Sequence, residues 1–147
     1  RPDDHDRRYP GTPVSVENRV ALRTSETVDM QKLLRATLRL RPDRIVVGEV
    51  RDFSAYTLLK AWNTGHPGGV ATIHADSALS GLSRLEQLAQ EGGIPPSASR
   101  TVIAEAIHCL VFIRKTAGGR RVSEILAVEG MTAGEIRTVN LLEGGRK

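Results

Sequence analysis

The sequence predicts an α/β fold, in which helices flank a parallel sheet and a small β-rich element follows at the C-terminus. Two short apolar runs, residues 45–47 and 70–73, are rich in β-branched side chains and have the length of strands. A helix-like segment, residues 54–63, separates them. A strand, helix, strand unit in one sheet is almost always parallel and right-handed, so both strands should end at the same edge. The unbroken run at 45–47 further predicts a strand that is covered on both faces.

The last third of the chain predicts the β-rich element. Residues 109–115 and 121–129 have strand composition, and the turn between them, residues 117–119, contains two glycines, which favours a hairpin. Residues 136–141 are the candidate for a third strand. Cys109 lies within an apolar run, and we expect it to be a buried small hydrophobe in a reducing compartment.

The N-terminal part of the chain offers little that could be buried. Residues 1–15 contain three prolines, one glycine and mixed charges, and they predict a disordered lead-in. Residues 16–147 have the length of one domain. The weak alternation of residues 18–23 could form a short strand.

The helices are predicted from their caps and from the spacing of apolar residues. The first should run from about residue 30 to 38, with Thr27 or Asp29 as its cap and Pro42 beyond its end. Another helix should begin at the proline pair, residues 95 and 96, and run to residue 107. A further helix is expected between a cap at Asp76 or Ser77 and the stop at Gly92 and Gly93. In it, leucines at every third position predict a buried stripe: Leu79, Leu82, Leu85 and Leu88.

Composition excludes several classes of protein. The net charge of +4 suits anionic ligands but is also ordinary for a soluble protein. No apolar segment approaches the roughly 18 residues of a membrane span, and the N-terminus lacks the apolar core of a signal peptide. We therefore expect a cytoplasmic protein, or one that meets a membrane only through partners. Aromatic residues make up 3%, so no base-stacking platform is visible and no direct nucleic-acid binding is expected.

Two reactive side chains, Glu49 and His74, each follow closely after a predicted parallel strand. In open α/β sheets, ligands bind outside the carboxyl edge, so these residues are candidates for one site that takes a polyanion or a nucleotide. Simpler alternatives stay open. Glu49 could be a partly exposed carboxylate paired with Arg51, and His74 could be a histidine hydrogen-bonded at a strand end. His66 precedes its strand, so it should lie at the opposite edge as a structural or intersubunit residue.

Three segments around these residues resemble the secretion ATPase superfamily, which includes the motors of type II secretion, type IV secretion and pilus retraction. Residues 34–43 and 48–52 (GEVRD) resemble its Walker B region, and residues 64–76 (TGHPGGVATIHAD) resemble its histidine box. Residues 60–66 (KAWNTGH) are most similar to the Trb-type ATPases of conjugative transfer. The resemblance covers about residues 16–140, and the two motifs together are specific.

The resemblance implies a RecA-like P-loop NTPase fold, of which this chain would be the C-terminal portion. It implies hydrolysis of ATP with Mg²⁺ in a homo-oligomeric, hexameric ring that works with inner-membrane secretion subunits, in the cytoplasm but peripheral to the inner membrane. Glu49 would orient the attacking water or contact Mg²⁺ through water, and His74 would contact the γ-phosphate or Glu49. Four arginines would bind nucleotide, within or across subunits: Arg23, Arg35, Arg39 and Arg51.

The sequence departs from the family pattern at the phosphate-binding loop. The 147 residues contain no Gly-x-x-x-x-Gly-Lys-[Ser/Thr] motif, which the family carries upstream of the segments seen here. A truncated gene product, an expressed fragment and a degenerate copy all stay open as explanations. We therefore expect no ATP turnover from this chain alone, and a non-catalytic assembly module is the alternative function. The four-cysteine zinc element of many type II relatives is also absent, which favours the type IV branch.

Overall fold

A computed structural model describes residues 17–142, which form a mixed α/β structure. The predicted lead-in, residues 1–15, lies outside the described residues. Strands β1 and β2 form a parallel pair, and β3, β4 and β5 form an antiparallel sheet in that order. No helix between residues 17 and 142 is long and apolar enough to cross a membrane. In chain order the elements are α1 (Met30–Arg39), β1 (Val46–Val47), α2 (Ser54–Asn63), β2 (Val70–Ala71), α3 (Ala78–Gln90), α4 (Pro96–Ala106), β3 (Cys109–Thr116), β4 (Gly119–Thr132) and β5 (Glu135–Asn140).

Local sequence signals determine where the helices begin. Of the two predicted caps for α1, Asp29 is the one used: its carboxylate accepts a hydrogen bond from the backbone N–H of Lys32 at 2.7 Å. The carboxylate of Asp52 similarly accepts the N–H of Ser54 at 2.8 Å where α2 begins. Pro96 occupies the first turn of α4, where its missing N–H costs no hydrogen bond.

Helix α2 is the central element of the core because it packs on two sides. Leu58 belongs to a buried cluster with Leu34 of α1 and Val47 of β1. Leu59 belongs to a second cluster, which includes Ile103 of α4. Successive residues of an α-helix point about 100° apart, so these two leucines face different layers. Helix α2 therefore joins the parallel pair to the α3–α4 layer.

The amino end of the parallel pair is closed by two bonds from side chains to the backbone. The indole Nε1 of Trp62 donates to the carbonyl of Ile45 at 3.1 Å. A Cβ atom at Gly69 would lie only 1.9 Å from that nitrogen, so this close approach requires glycine. The ring Nδ1 of His66 lies 2.5 Å from the carbonyl oxygen of Pro42, to which it donates. His66 thus lies at the edge opposite Glu49, as the topology predicted.

The antiparallel sheet packs one face against the helices and confirms the predicted hairpin and third strand. Leu126 on β4 is 8% exposed, and Leu110 on β3 packs against the second cluster. Arg100 of α4 fastens the sheet further, because its Nε donates to Glu86 of α3 at 2.8 Å and its Nη1 donates to Glu135 of β5 at 2.9 Å. The sheet is therefore attached to the helical layer by both apolar and ionic contacts.

The predicted leucine stripe on α3 is wrong at its first position. Leu82 and Leu88 are buried and Leu85 is partly buried, but Leu79 is 57% exposed. A step of three residues turns the helix by about 300°, so a stripe at that spacing winds around the surface instead of keeping one face. The first leucine consequently lies on the solvent side.

Three other expectations are also wrong. Residues 18–23 form no strand, because none of the described strands pairs with their backbone groups. The strand at residues 45–47 is not covered on both faces, because Val46 is 47% exposed. Successive residues of a strand point to opposite faces, and the described layers cover only the face to which Ile45 and Val47 point. The partner of Val46 in register, Val70, is 60% exposed. Cys109 is exposed because it lies on the outer face of the antiparallel sheet.

The burial of α3 gives a matched pair of substitutions. Leu88 is fully buried, whereas Leu79 lies in the same helix and is largely exposed. We expect Leu88→Ala to lower the free energy of unfolding by about 2–5 kcal/mol, because it leaves a cavity. Leu79→Ala should change it by no more than about 0.5 kcal/mol. Urea denaturation of both variants measures the difference, and equal losses would contradict the assigned orientation of α3.

The uncovered face of the parallel pair predicts association of the isolated chain. Val46 and Val70 are exposed neighbours, and exposed strands are templates for pairing with other chains. Sedimentation velocity at several concentrations should show reversible self-association, and thermal melting should depend on concentration. Val46→Thr should weaken the association, whereas Val20→Thr, at an exposed position outside both sheets, should not. A monomer at every concentration would show that this face does not mediate self-association.

Candidate functional site

The candidate site lies at the carboxyl end of the parallel pair. The register pairs Val46 with Val70, an offset of 24 residues that places the segments after both strands side by side. Beyond the strands, the N–H of Val50 donates to the carbonyl of Thr72 at 2.9 Å. The hydroxyl of Thr72 in turn donates to the carbonyl of Gly48 at 2.5 Å. These bonds hold together the two segments that carry the reactive side chains.

The structure brings Glu49 and His74 into contact, as the topology predicted. The Nε2 atom of His74 lies 3.2 Å from Oε1 of Glu49. The side chain of Glu49 is 21% exposed and that of His74 is 91% exposed, so the carboxylate forms the floor of the site and the imidazole faces solvent. This pairing gives the site a hydrogen-bond acceptor and a hydrogen-bond donor that can reach the same ligand.

Arg51 is the main hydrogen-bond partner of Glu49. Its Nη2 donates to Oε2 of Glu49, the oxygen that His74 does not contact. This hydrogen bond is the main cause that lowers the pKa of Glu49 below its ordinary value, with help from the positive charges of Arg51 and His74 and against the effect of partial burial. Glu49 is therefore an ionised carboxylate at neutral pH, able to accept hydrogen bonds from water or to hold a hydrated cation.

The segment that carries His74 is fixed where it enters α3. Ser77 and Ser80 form a capping box, in which the Ser77 hydroxyl accepts the N–H of Ser80 at 3.0 Å and the Ser80 hydroxyl accepts the N–H of Ser77 at 2.9 Å. The next N–H, that of Ala78, donates to the carboxylate of Glu124 on β4 at 2.8 Å. The antiparallel sheet thereby supplies a negative charge to the positive end of the α3 dipole and holds the His74 segment in place.

Arg84 is a residue of this site that the sequence analysis missed. A cleft of about 140 Å³ is lined by Glu49, Val50, Arg51, Ile73, His74 and Arg84. The spacing in the sequence could have indicated this position. Arg84 lies seven residues, or two helical turns, after the helix cap Ser77, so both residues lie on the same face of α3. With two guanidinium groups and one imidazole against a single carboxylate, the wall of the cleft can accept an anion.

The three remaining candidates lie away from this cleft wall. Arg35 and Arg39 are exposed one turn apart on α1, on one face of the helix, and Arg23 is exposed in the segment before α1. Their predicted roles in nucleotide binding stay predictions. Among residues 17–142, no three side chains of His, Cys, Asp or Glu are close enough to hold a metal ion by themselves. Glu49 suits Mg²⁺ in the other usual way, as one carboxylate that acts with water and with phosphates of a substrate.

These features define a mixed α/β protein with an anion-accepting cleft at the carboxyl edge of its parallel strands. The profile of the family described as type II/IV secretion system protein matches residues 12–130. The chain belongs to this family.

Similar proteins include conjugal transfer proteins and a VirB11 protein. The probable conjugal transfer protein TrbB of Sinorhizobium fredii is 56% identical over 131 residues, which are 88% of this chain and 40% of that protein. The conjugal transfer protein TrbB of Rhizobium radiobacter is 58% identical over 116 residues, 79% of this chain and 35% of that protein. VirB11 of Agrobacterium fabrum is 35% identical over 113 residues, 74% of this chain and 33% of that protein. The chain thus spans 40% or less of the length of these relatives.

A solved structure resembles the fold described here. The crystal structure of the VirB11 ATPase from the Brucella suis type IV secretion system, in complex with sulphate, superposes with a TM-score of 0.65 at 26% sequence identity. The match covers 69% of this chain and 32% of that chain. The similarity agrees with the family assignment from the sequence.

The hydrogen bond between Arg51 and Glu49 predicts a pH dependence. The pKa of Glu49 is lower in the folded chain than its ordinary value of 4.5, so the ionised carboxylate stabilises the fold above pH 4.5. This contribution is lost as the pH falls through the folded-state pKa. Arg51→Gln should raise the pKa of Glu49 toward 4.5, as followed by ¹³C NMR of its carboxyl carbon. Arg137→Gln, which removes an exposed arginine that pairs with Glu129, is the control and should leave that pKa unchanged.

Proposed function

We propose that this chain is part of the ATP-hydrolysing domain of a motor for conjugative DNA transfer or type IV secretion. The observation that carries the proposal is the contact between Glu49 and His74 at the carboxyl edge of a parallel pair, in a member of the type II/IV secretion family. A solved relative is an ATPase in complex with sulphate, an ion that resembles phosphate in shape and charge.

In the proposed mechanism, Glu49 accepts a hydrogen bond from the attacking water. The carboxylate is ionised at neutral pH, as this role requires, and partial burial limits competition from solvent. His74 contacts Glu49 through Nε2 and is otherwise exposed, so it can turn to donate a hydrogen bond to the γ-phosphate. Such a bond strengthens as negative charge develops in the transition state.

The cations around the cleft offset the charge of the phosphates. Arg51 both donates a hydrogen bond to Glu49 and presents a mostly exposed guanidinium, with 72% of its side chain accessible. When bound, Mg²⁺ would offset the negative charge of the phosphates. Glu49 is the residue that would hold it through a water molecule. The phosphate-binding loop that completes such sites would come from outside the present 147 residues.

The wider assembly also belongs to the proposal. The domain would have a RecA-like fold and act in a homo-oligomeric ring, with six subunits, in the cytoplasm beside the inner-membrane part of the secretion system. Arg23, Arg35 and Arg39 are exposed and do not line the cleft, which suits arginines that reach the nucleotide of a neighbouring subunit. Activity would then depend on assembly.

A second candidate function is a non-catalytic assembly module. It is favoured by one observation, the absence of a phosphate-binding loop from the sequence. In that case the chain would bind partner subunits through its uncovered surfaces and would not turn over nucleotide.

A chimera tests these candidates. The chain should replace the corresponding segment of Rhizobium radiobacter TrbB, to which it is 58% identical over 116 residues. We expect the chimera to release phosphate from ATP with Mg²⁺, whereas the isolated chain should not exceed background. Glu49→Gln should lower kcat by about 100-fold or more, the usual effect of removing a positioned base. His74→Ala should lower kcat more than it weakens ATP binding, because its bond is strongest in the transition state.

Two control substitutions separate these effects from general damage. His108→Ala and Glu129→Gln change an exposed histidine and an exposed glutamate outside the cleft wall, and both should leave kcat near that of the parent chimera. A chimera that assembles and binds ATP without turnover, when TrbB itself is active, would support the assembly module. Equal losses of binding and kcat in His74→Ala would indicate that His74 has only a structural role.

A further inference from the structure

Arg84 is placed to bind the ligand of the cleft, although it does not belong to either sequence motif. It lies on α3, ten residues after His74, and it lines the same cleft as Glu49 and Arg51. The cleft volume of about 140 Å³ corresponds to about four or five groups of the size of water, at roughly 30 Å³ each. This volume is large enough for one phosphoryl group with its oxygens.

The present partners of Arg84 are weak. Its Nη1 lies 3.4 Å from the side-chain oxygen of Gln87 and 3.6 Å from a carboxylate oxygen of Glu91. Both members of the ion pair with Glu91 are nearly half exposed, at 43% and 48%, so solvent screens most of their attraction. Within residues 17–142 these contacts use one nitrogen of the guanidinium, which leaves Nε and Nη2 available to a ligand.

The backbone that carries Arg84 is held firmly at the start of its helix. The Ser77–Ser80 capping box and the carboxylate of Glu124 fix the first turn of α3. Leu82 and Leu88 are buried before and after Arg84 in the same helix, so α3 is anchored in the core on either side of it. Only the side chain of Arg84 therefore needs to move for its guanidinium to turn from Glu91 toward the cleft.

We propose that Arg84 binds a phosphoryl group in the cleft and that Glu91 competes with this group for the guanidinium. A phosphate offers two oxygens in the geometry that a guanidinium donates to, and its charge exceeds that of one screened carboxylate. Arg84 is then a phosphate-binding residue, and Glu91 holds it aside while the cleft contains no anion. The inference rests on the proposed function in one respect only, namely that the cleft takes a phosphate-bearing ligand.

The competition predicts effects of opposite sign from two neighbouring substitutions. Arg84→Gln should weaken the binding of tripolyphosphate to the full 147-residue chain by about tenfold, the loss expected for one charge-assisted hydrogen bond. Glu91→Gln should strengthen the binding by about two- to threefold, because it removes the competitor. Arg84→Lys should lie between Arg84→Gln and the wild type, since it keeps the charge and loses the planar fork.

The measurement is isothermal titration with tripolyphosphate at constant ionic strength, with the Arg84 Nε–H resonance followed by NMR. Arg137→Gln removes an equal charge from an arginine that pairs with Glu129 outside the cleft wall, so its affinity should match that of the wild type. A loss in Arg137→Gln equal to that in Arg84→Gln would overturn the proposal, because net charge alone would then explain the binding. Unchanged affinity in Arg84→Gln would overturn it too.

Two further outcomes separate this proposal from the proposed function. Absence of tripolyphosphate binding by the wild-type chain would overturn the role of Arg84, whereas ATP turnover by the chimera decides the proposed function independently. Weaker binding in Glu91→Gln would also overturn the competition, because it would show that Glu91 positions Arg84 for the ligand instead of holding it aside.

Discussion

The parallel register of β1 and β2 is the constraint on which the candidate site depends. Val46 pairs with Val70, and the bond from Val50 to Thr72 extends this alignment beyond the strands. A slip of one residue would reverse the faces of every side chain that follows on one strand. Glu49 and His74 would then point apart. The 3.2 Å contact between them is therefore a consequence of backbone pairing, since the mutual attraction of an exposed imidazole and a carboxylate is too weak to impose it.

Helix α3 connects this site to the rest of the fold. Its first turn carries the His74 segment and is capped partly by Glu124 of β4, and its last turns reach Arg100 through Glu86. Arg100 also holds Glu135 of β5, so the antiparallel sheet contacts α3 directly at one end and through α4 at the other. The β-rich element is thus a structural support for the cleft even though it contributes no residue to its wall. A displacement of this sheet would first change the position of the start of α3.

The sequence predicted the features that depend on local signals and on topology. The bounds of α2 and the pairing of Glu49 with His74 follow from caps, strand composition and the handedness of crossovers, all of which act over short stretches of chain. Burial was harder to predict. Leu79, Val46 and Cys109 were expected to be buried, yet each is exposed, because the layers that decide burial come from distant parts of the chain. Arg84 was missed because two turns of helix separate it from the recognisable motif.

An entering phosphate would have to compete with two ion pairs for the guanidinium groups of the site. In the structure, Arg51 contacts Glu49 and Arg84 contacts Glu91, so each guanidinium already has a carboxylate. The first pair is partly buried on the glutamate side and lowers the pKa of Glu49, whereas the second is nearly half exposed on both sides. An entering anion would therefore displace Glu91 more readily than Glu49. Under the proposed function, this asymmetry lets Arg84 bind the phosphate while Arg51 stays hydrogen-bonded to Glu49 and orients it toward the attacking water. The two arginines would then have separate roles, one in binding and one in activation.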